Sequence, residues 1–330
     1  MPDCPPVRVT ILGENFVAFK DTAGQLGFLD ERVKHGAYPV RDAGGLAWVY
    51  LGPPGTEPPF PAFAWSAADP DELLVTEMIM DCNWMQVLEG SIDSSHVGVL
   101  HLDTLATMGA GPRSVGSFDF AGEPWDLDMP VPGRGGQGGQ GRGGPARRPG
   151  VWPSGDNAPR IEVENTPFGF HYAAIRDVTN DPAKKFVRVT AFVMPYTAFI
   201  GGAPGAVIVV PRDDYTCSSI GVFPVPKGAG AARRAAAGTD PAVWGPEPDN
   251  RRIRLPRQDH EAMAAGQSFA GFPGGNRIQD AAVQLSSGPM YDRAKEHLVP
   301  ADLAIIRLRR LLADSVRLLE AGRDPVGRVR

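Results

Sequence analysis

The sequence predicts an α+β fold in which an antiparallel sheet is followed by a long C-terminal helix. Residues 160–226 hold five short apolar runs separated by Gly, Pro, Asn and Asp turns: Arg160 to Val163, Gly169 to Ile175, Phe186 to Val193, Ala206 to Val210 and Ser218 to Phe223. Ile305, Leu308, Leu312, Val316 and Leu319 then recur at three- and four-residue spacing, which marks one buried helix face. The 40 glycines and 33 prolines among 330 residues favour sheet and loop over a helix bundle.

Along the chain, Val7, Val9 and Ile11 alternate with polar residues, and Phe16 to Phe19 follow a Gly-Glu-Asn turn. Leu26 to Leu29 and Leu46 to Tyr50 complete a small β unit. The proline-rich run from Gly52 to Pro59 cannot sustain a ladder and marks a boundary near residue 60. Residues 74–101 read as a strand followed by a helical stretch. Residues 133–149 are built of Gly, Arg, Gln and Pro and read as a flexible, exposed loop, and residues 227–275 read as a mobile stretch. Pro300 suits the start of the last helix, while Gly322 and Pro325 suit its end.

The bulk properties narrow the function. Net charge is -5 and the pI is near 5.7, which argues against a nucleic-acid or anionic-membrane partner. Cys4, Cys82 and Cys217 are odd in number and far apart, so neither a disulfide framework nor a cysteine zinc site is expected. The N-terminus lacks the pattern of a signal peptide and no stretch is apolar for long enough to span a bilayer, so the expected compartment is the cytoplasm.

Six histidines are present: His35, His96, His101, His171, His260 and His297. His96 and His101 follow Glu89 and Asp93 closely. A five-residue step on a regular helix leaves two side chains about 140° apart. The pair converges only if the helix is locally over-wide or ends between them. From spacing alone, satisfied structural histidines are the better reading. His171 lies in a strand, facing core or pocket, and His260 and His297 sit among charges and read as exposed.

The surrounding residues carry more. Asn83-Trp84, Glu89-Gly90, Asp93-Ser94-Ser95-His96 and the four-residue gap from His96 to His101 form one continuous pattern. That pattern closely resembles the catalytic motif of Rieske-type non-haem iron aromatic ring-hydroxylating oxygenase α subunits, nearest the phthalate 4,5-dioxygenase-like branch. Gly169 to Arg176, Val187 to Pro195, Asn276 to Gln284 and Ser287 to Arg293 resemble later segments of the same family.

The resemblance implies a helix-grip (SRPBCC/START-like) catalytic domain over residues 61–330, behind a reduced Rieske-like β segment over residues 1–60. It implies mononuclear Fe(II) held by His96, His101 and Asp280. Two neutral imidazoles and one carboxylate on one face of a metal leave the opposite face open for dioxygen. Asp292 and Glu296 are rivals to Asp280, although a solvated face shared with Arg293 and Lys295 accounts for them. Without the resemblance, Asp280 reads as a helix N-cap before Ala281-Ala282-Val283. Asp93 is implied as a catalytic carboxylate that orients the first histidine on the electron route, with a capping or surface acid as the bland alternative.

One departure is sharp. A [2Fe–2S] Rieske cluster needs two cysteines and two histidines, supplied in the family as Cys-x-His and Cys-x-x-His. Neither pattern occurs in this chain. Leu29 to Arg32 resembles the text before the family's first ligand cysteine, and Val33 to Val40 the text after its last ligand histidine. The expected function is therefore an oxygenase-type chain that hydroxylates or O-demethylates an aromatic acid with Fe(II) and O2. Its expected partners are a small aromatic substrate, a reductase or cluster-bearing electron donor, and further copies of itself, a trimer by resemblance. The alternative is a non-catalytic module that binds an aromatic ligand.

Overall fold

A computed structural model of the protein describes residues 5–32, 36–53, 55–101, 158–178, 181–201, 205–229, 251–272 and 275–328. Cys4, His35 and the glycine- and arginine-rich run at 133–149 lie outside the described residues.

The chain opens with a three-stranded antiparallel sheet of β1 (Val7–Ile11), β2 (Glu14–Lys20) and β3 (Leu26–Asp30). Phe16 and Phe28 face each other inside it, with ring centroids 4.9 Å apart. β4 (Val40–Ala43) and β5 (Leu46–Val49) form a separate hairpin. Its two turn residues, Gly44 and Gly45, have φ of 62° and 74°, a combination that suits the twist of a two-residue hairpin. A Cβ on Gly44 would also lie 2.6 Å from the Trp65 ring. Trp65 stacks with Phe63 and Trp48, tying the hairpin to the main sheet through an aromatic cluster.

The main sheet has seven strands: β6 (Leu73–Met80), β7 (Arg160–Thr166), β8 (Gly169–Val178), β9 (Asp181–Val193), β10 (Thr197–Phe199), β11 (Ala206–Pro211) and β12 (Cys217–Pro224). Their spatial order is β6-β12-β11-β10-β9-β8-β7, and every neighbouring pair is antiparallel. The five strands expected from the sequence are all present. β10 is an addition, too short for a periodicity to register.

There are three longer helices among the described residues: α1 (Trp84–Ile92) and α5 (Leu303–Glu320) pack on the sheet, and α4 (Asn276–Ser286) packs on α1. Two short ones, α2 (Val97–Leu100) and α3 (His260–Ala264), fall between α1 and α4 in the chain. α3 lies inside the stretch that was expected to be mobile.

The helix-grip expectation is corrected by this arrangement. The C-terminal helix α5 packs on β7 and on α1, whereas α1 covers β10, β11 and β12. The C-terminal helix lies at the β7 edge, and the central strands bury their apolar face against α1 instead. The buried stripe of α5 is also displaced from the expected one. Ala304, Leu308, Leu311 and Ser315 face inward, while Val316 and Leu319 are exposed. The main core joins Leu88 and Ile92 of α1, Phe170 and Phe192 of the sheet, and Leu308 of α5, all with no exposed surface. Among the described residues, no helix is long and apolar enough to cross a membrane.

Candidate metal centre

α1 is positioned at both ends by side chains that the sequence places locally. Asn83 caps its start by accepting from Met85 N at 3.0 Å, and its Nδ2 donates to the Asp214 carbonyl at 2.7 Å. Gly90 faces α4, where the amide end of Gln284 occupies the space a Cβ would take. Gln86 binds the end of α4 through the carbonyls of Gln284 and Gly288, at 3.2 and 3.0 Å.

α1 stops at Asp93, whose backbone turns extended. The Asp93 carboxylate then organises the next turn. Oδ1 accepts from Ser95 N at 2.7 Å, Oδ2 accepts from His96 N at 3.1 Å, and His96 Nδ1 lies 2.9 Å from Oδ2. His96 opens α2 and His101 follows its last residue with φ -98° and ψ 17°. The five-residue spacing therefore converges without an over-wide turn, because α2 is only four residues long and ends just before His101. The two rings meet edge to face with centroids 5.0 Å apart.

Asp280 completes the group from α4. It lies inside that helix, with Gly275 as the N-cap, so the capping reading does not hold. Asp280 Oδ1 is 3.3 Å from His96 Nε2 and 3.0 Å from His101 Nε2. The candidate ligand atoms of His96, His101 and Asp280 all lie within 4.8 Å of one another. This donor set fits a mononuclear iron ion: two imidazoles and one carboxylate converge, with both Nδ1 atoms already engaged and both Nε2 atoms turned inward.

The electrostatics agree with a built cation site. Burial works against a charged His96, but hydrogen bonds and charge from Asp280 and Asp93 push its pKa up to about 9. Burial likewise opposes ionisation of Asp280, and the two histidines overcome it and hold the carboxyl below its usual range. Asp93 is held low against burial by His96 and the backbone of Ser95 and His96. Burial lowers the Arg277 guanidinium to about 10, opposed by Asp280. Arg277 bonds to Thr76 Oγ1 and to the Ser219 carbonyl, which fastens the first turn of α4 to β6 and β12.

Some residues were not singled out from the sequence. Gln279 is 1% exposed and accepts from His101 Nδ1 at 2.7 Å. Its signal was an uncharged polar residue beside Asp280 in a helix whose neighbours Ala281 and Ala282 are buried. Ser94 is bound by Tyr172 and by the buried Arg188, both at 2.8 Å, which anchors the link between α1 and α2 to the sheet.

The other candidates lie elsewhere. Asp292 caps a 3₁₀ turn at Arg293–Lys295 and pairs with Lys295. Glu296 is not on a solvated face but pairs with Arg309 and Arg293, beside Glu89. His171 is partly exposed and pairs with Glu164 at 2.8 Å, so it faces neither core nor metal group. His260 and His297 are exposed, as expected. A groove of about 230 Å³ reaches the group from the surface, lined by Gln86, Asp93, His96, Asp280, Tyr291 and Glu296 among others.

A family model described as "LigXa C-terminal domain like" matches residues 49–114, 144–223 and 249–330. The chain belongs to that family. Among its relatives is the phthalate 4,5-dioxygenase oxygenase subunit of Pseudomonas putida. It is 28% identical over 398 aligned positions that cover 99% of this chain and 80% of the relative. The 3-chlorobenzoate-3,4-dioxygenase oxygenase subunit of Comamonas testosteroni is 25% identical, covering 96% and 81%. Dicamba monooxygenase bound to dicamba has the same fold, with a TM-score of 0.51, 14% identity, and coverage of 96% and 94%. The carbazole-bound oxygenase in the ferredoxin complex of carbazole 1,9a-dioxygenase gives a TM-score of 0.50 and 16% identity, covering 95% and 86%.

This LigXa C-terminal-domain-like chain is thus a member of the Rieske-type ring-hydroxylating oxygenase superfamily and an oxidoreductase-type enzyme with a mononuclear iron triad. The fold is the Rieske-oxygenase catalytic fold and not the SRPBCC/START helix-grip fold expected from the sequence.

Proposed function

We propose that the protein is the catalytic chain of an oxygenase that hydroxylates or O-demethylates an aromatic acid. In this reading His96, His101 and Asp280 hold Fe(II), and Asp93 is the carboxylate through which His96 is oriented. The observation that carries it is the convergence of the three ligand side chains from two segments, 83–101 and 276–286. When bound, iron supplies the centre at which dioxygen is activated with electrons from a donor.

The chain's own residues divide the remaining tasks. Asp93 holds the Nδ1 proton of His96 and leaves Nε2 for the metal. Asp280 brings the anionic donor, and Arg277 keeps α4 seated so that this donor faces the histidines. The names of two relatives, a phthalate and a chlorobenzoate dioxygenase subunit, favour an aromatic carboxylic acid as the substrate class.

The electron donor in this reading is a separate cluster-bearing protein. No Cys-x-His or Cys-x-x-His pattern occurs in the sequence, and residues 1–60 are read as a reduced Rieske-like β segment before a catalytic unit at 61–330. Asp93 and His96 both line the surface groove, so a donor can approach them without entering the core. A homo-oligomer, a trimer by family resemblance, belongs to the same reading.

The test is anaerobic Fe(II) loading followed by oxygen consumption with a ferredoxin and reductase and a panel of benzoates and phthalates. Iron uptake with substrate-dependent oxygen consumption supports the proposal. Tight binding of an aromatic acid with no product under any donor favours the second reading, a ligand-binding chain, which the missing cluster motif motivates.

A further inference from the structure

We infer that Gln279 is a positioning residue that fixes the orientation of His101 and keeps the metal pocket one negative charge short of what a carboxylate would give. The inference deepens the iron reading and rests on it.

His101 follows the last residue of the four-residue helix α2. Among the described residues, both polar contacts of its ring come from α4. Gln279 Oε1 lies 2.7 Å from Nδ1 and Asp280 Oδ1 lies 3.0 Å from Nε2. Consecutive helix residues point about 100° apart. The two reach opposite nitrogens of one ring because the glutamine side chain is longer than the aspartate. An amide oxygen only accepts, so Nδ1 donates to Gln279, which leaves Nε2, on the Asp280 side of the ring, as the nitrogen a metal would take.

The two histidines are therefore backed by different groups. His96 has the Asp93 carboxylate and His101 has a neutral amide. Gln279 is 1% exposed, so water screens a charge at its position poorly. A glutamate there would add a buried negative charge beside the metal ligands and favour a trivalent over a divalent ion. The amide keeps the imidazole fixed without that charge and so favours the ferrous state.

The experiment compares wild-type protein with Gln279→Leu and Gln279→Glu as full chains loaded anaerobically with Fe(II). The readouts are the Fe(II) dissociation constant, the electron paramagnetic resonance spectrum of the nitric oxide adduct, and the midpoint of the Fe(III)/Fe(II) couple. Gln279→Leu is expected to weaken Fe(II) binding about 10- to 100-fold and to alter the adduct spectrum. Gln279→Glu, which keeps the acceptor and the side-chain length, is expected to recover most of the affinity and shift the midpoint negative. Wild-type affinity and spectrum in Gln279→Leu, or an unchanged midpoint in Gln279→Glu, overturns the inference. If Gln279→Leu fails to fold, the midpoint of Gln279→Glu decides. Wild-type protein that takes up no Fe(II) overturns the iron reading itself, and this inference with it.

Discussion

Asp280 Oδ1 lies 3.0 Å from Nε2 of His101, although six of the seven strands of the main sheet, β7 to β12, lie between the two residues in the chain. The contact forms because α4 packs against α1, with Gln86 holding the end of α4. Substitutions that spare the packing but remove a donor should therefore report on metal binding alone.

His101→Ala and Asp280→Ala are expected to reduce Fe(II) uptake from about one ion per chain to near none, because a two-donor remnant holds a divalent ion poorly. Anaerobic titration followed by metal analysis of desalted protein checks this. Retention of a full equivalent by either variant would contradict the assigned triad.

Asp93→Asn keeps one side-chain acceptor for the backbone of the turn but removes the carboxylate behind His96. Metal affinity is expected to fall by about 10- to 100-fold while the melting temperature changes little. Asp93→Ala also loses the turn bonds and should cost about 1 kcal/mol of stability in addition. Equal affinities in the wild type and Asp93→Asn would assign Asp93 to the turn alone.

Metal binding should be proton-linked. In the metal-free chain, burial is outweighed by Asp280 and Asp93, and the His96 pKa rises from 6.5 to about 9. That raised value means a contribution to stability that is full below 6.5 and is lost as pH rises through about 9. A metal needs the neutral imidazole, so below about 9 its uptake releases a proton and apparent affinity rises with pH. Calorimetric titration at pH 7 in two buffers of different ionisation enthalpy reads the released proton directly. Identical heats in both buffers would argue against it.

Arg309 joins Glu89 of α1 to Glu296, and Arg293 touches both carboxylates. Arg309→Met should destabilise the fold by roughly 1–2 kcal/mol, since it leaves partly buried acids with fewer partners. Arg309 and then Arg293 hold the Glu296 carboxyl below its ordinary 4.5. This contribution is present above 4.5 and fades as pH falls below it, so the gap between wild type and variant should narrow in acid. Urea midpoints at pH 7 and at acid pH measure both effects.

The sequence by itself determined most of the strands, though not β4 or β10, as well as where the C-terminal helix runs and the local cassette from Asn83 to His101. These features depend on short-range physics: side-chain periodicity, the Asn83 cap, and an aspartate three residues from a histidine. The missing cluster motif was equally plain, because it is a matter of residue identity. Tertiary structure decided the rest. By residue type alone Asp280, Asp292 and Glu296 are interchangeable carboxylates, and only the family resemblance set Asp280 apart; the packing of α4 against α1 turns Asp280 to the histidines while Arg309 takes Glu296. The same packing brings Gln279 to His101 and lets α1, in place of a single gripping helix, cover the central strands. A metal ligand is defined by where its lone pair points, and that direction is fixed by contacts between segments far apart in the chain.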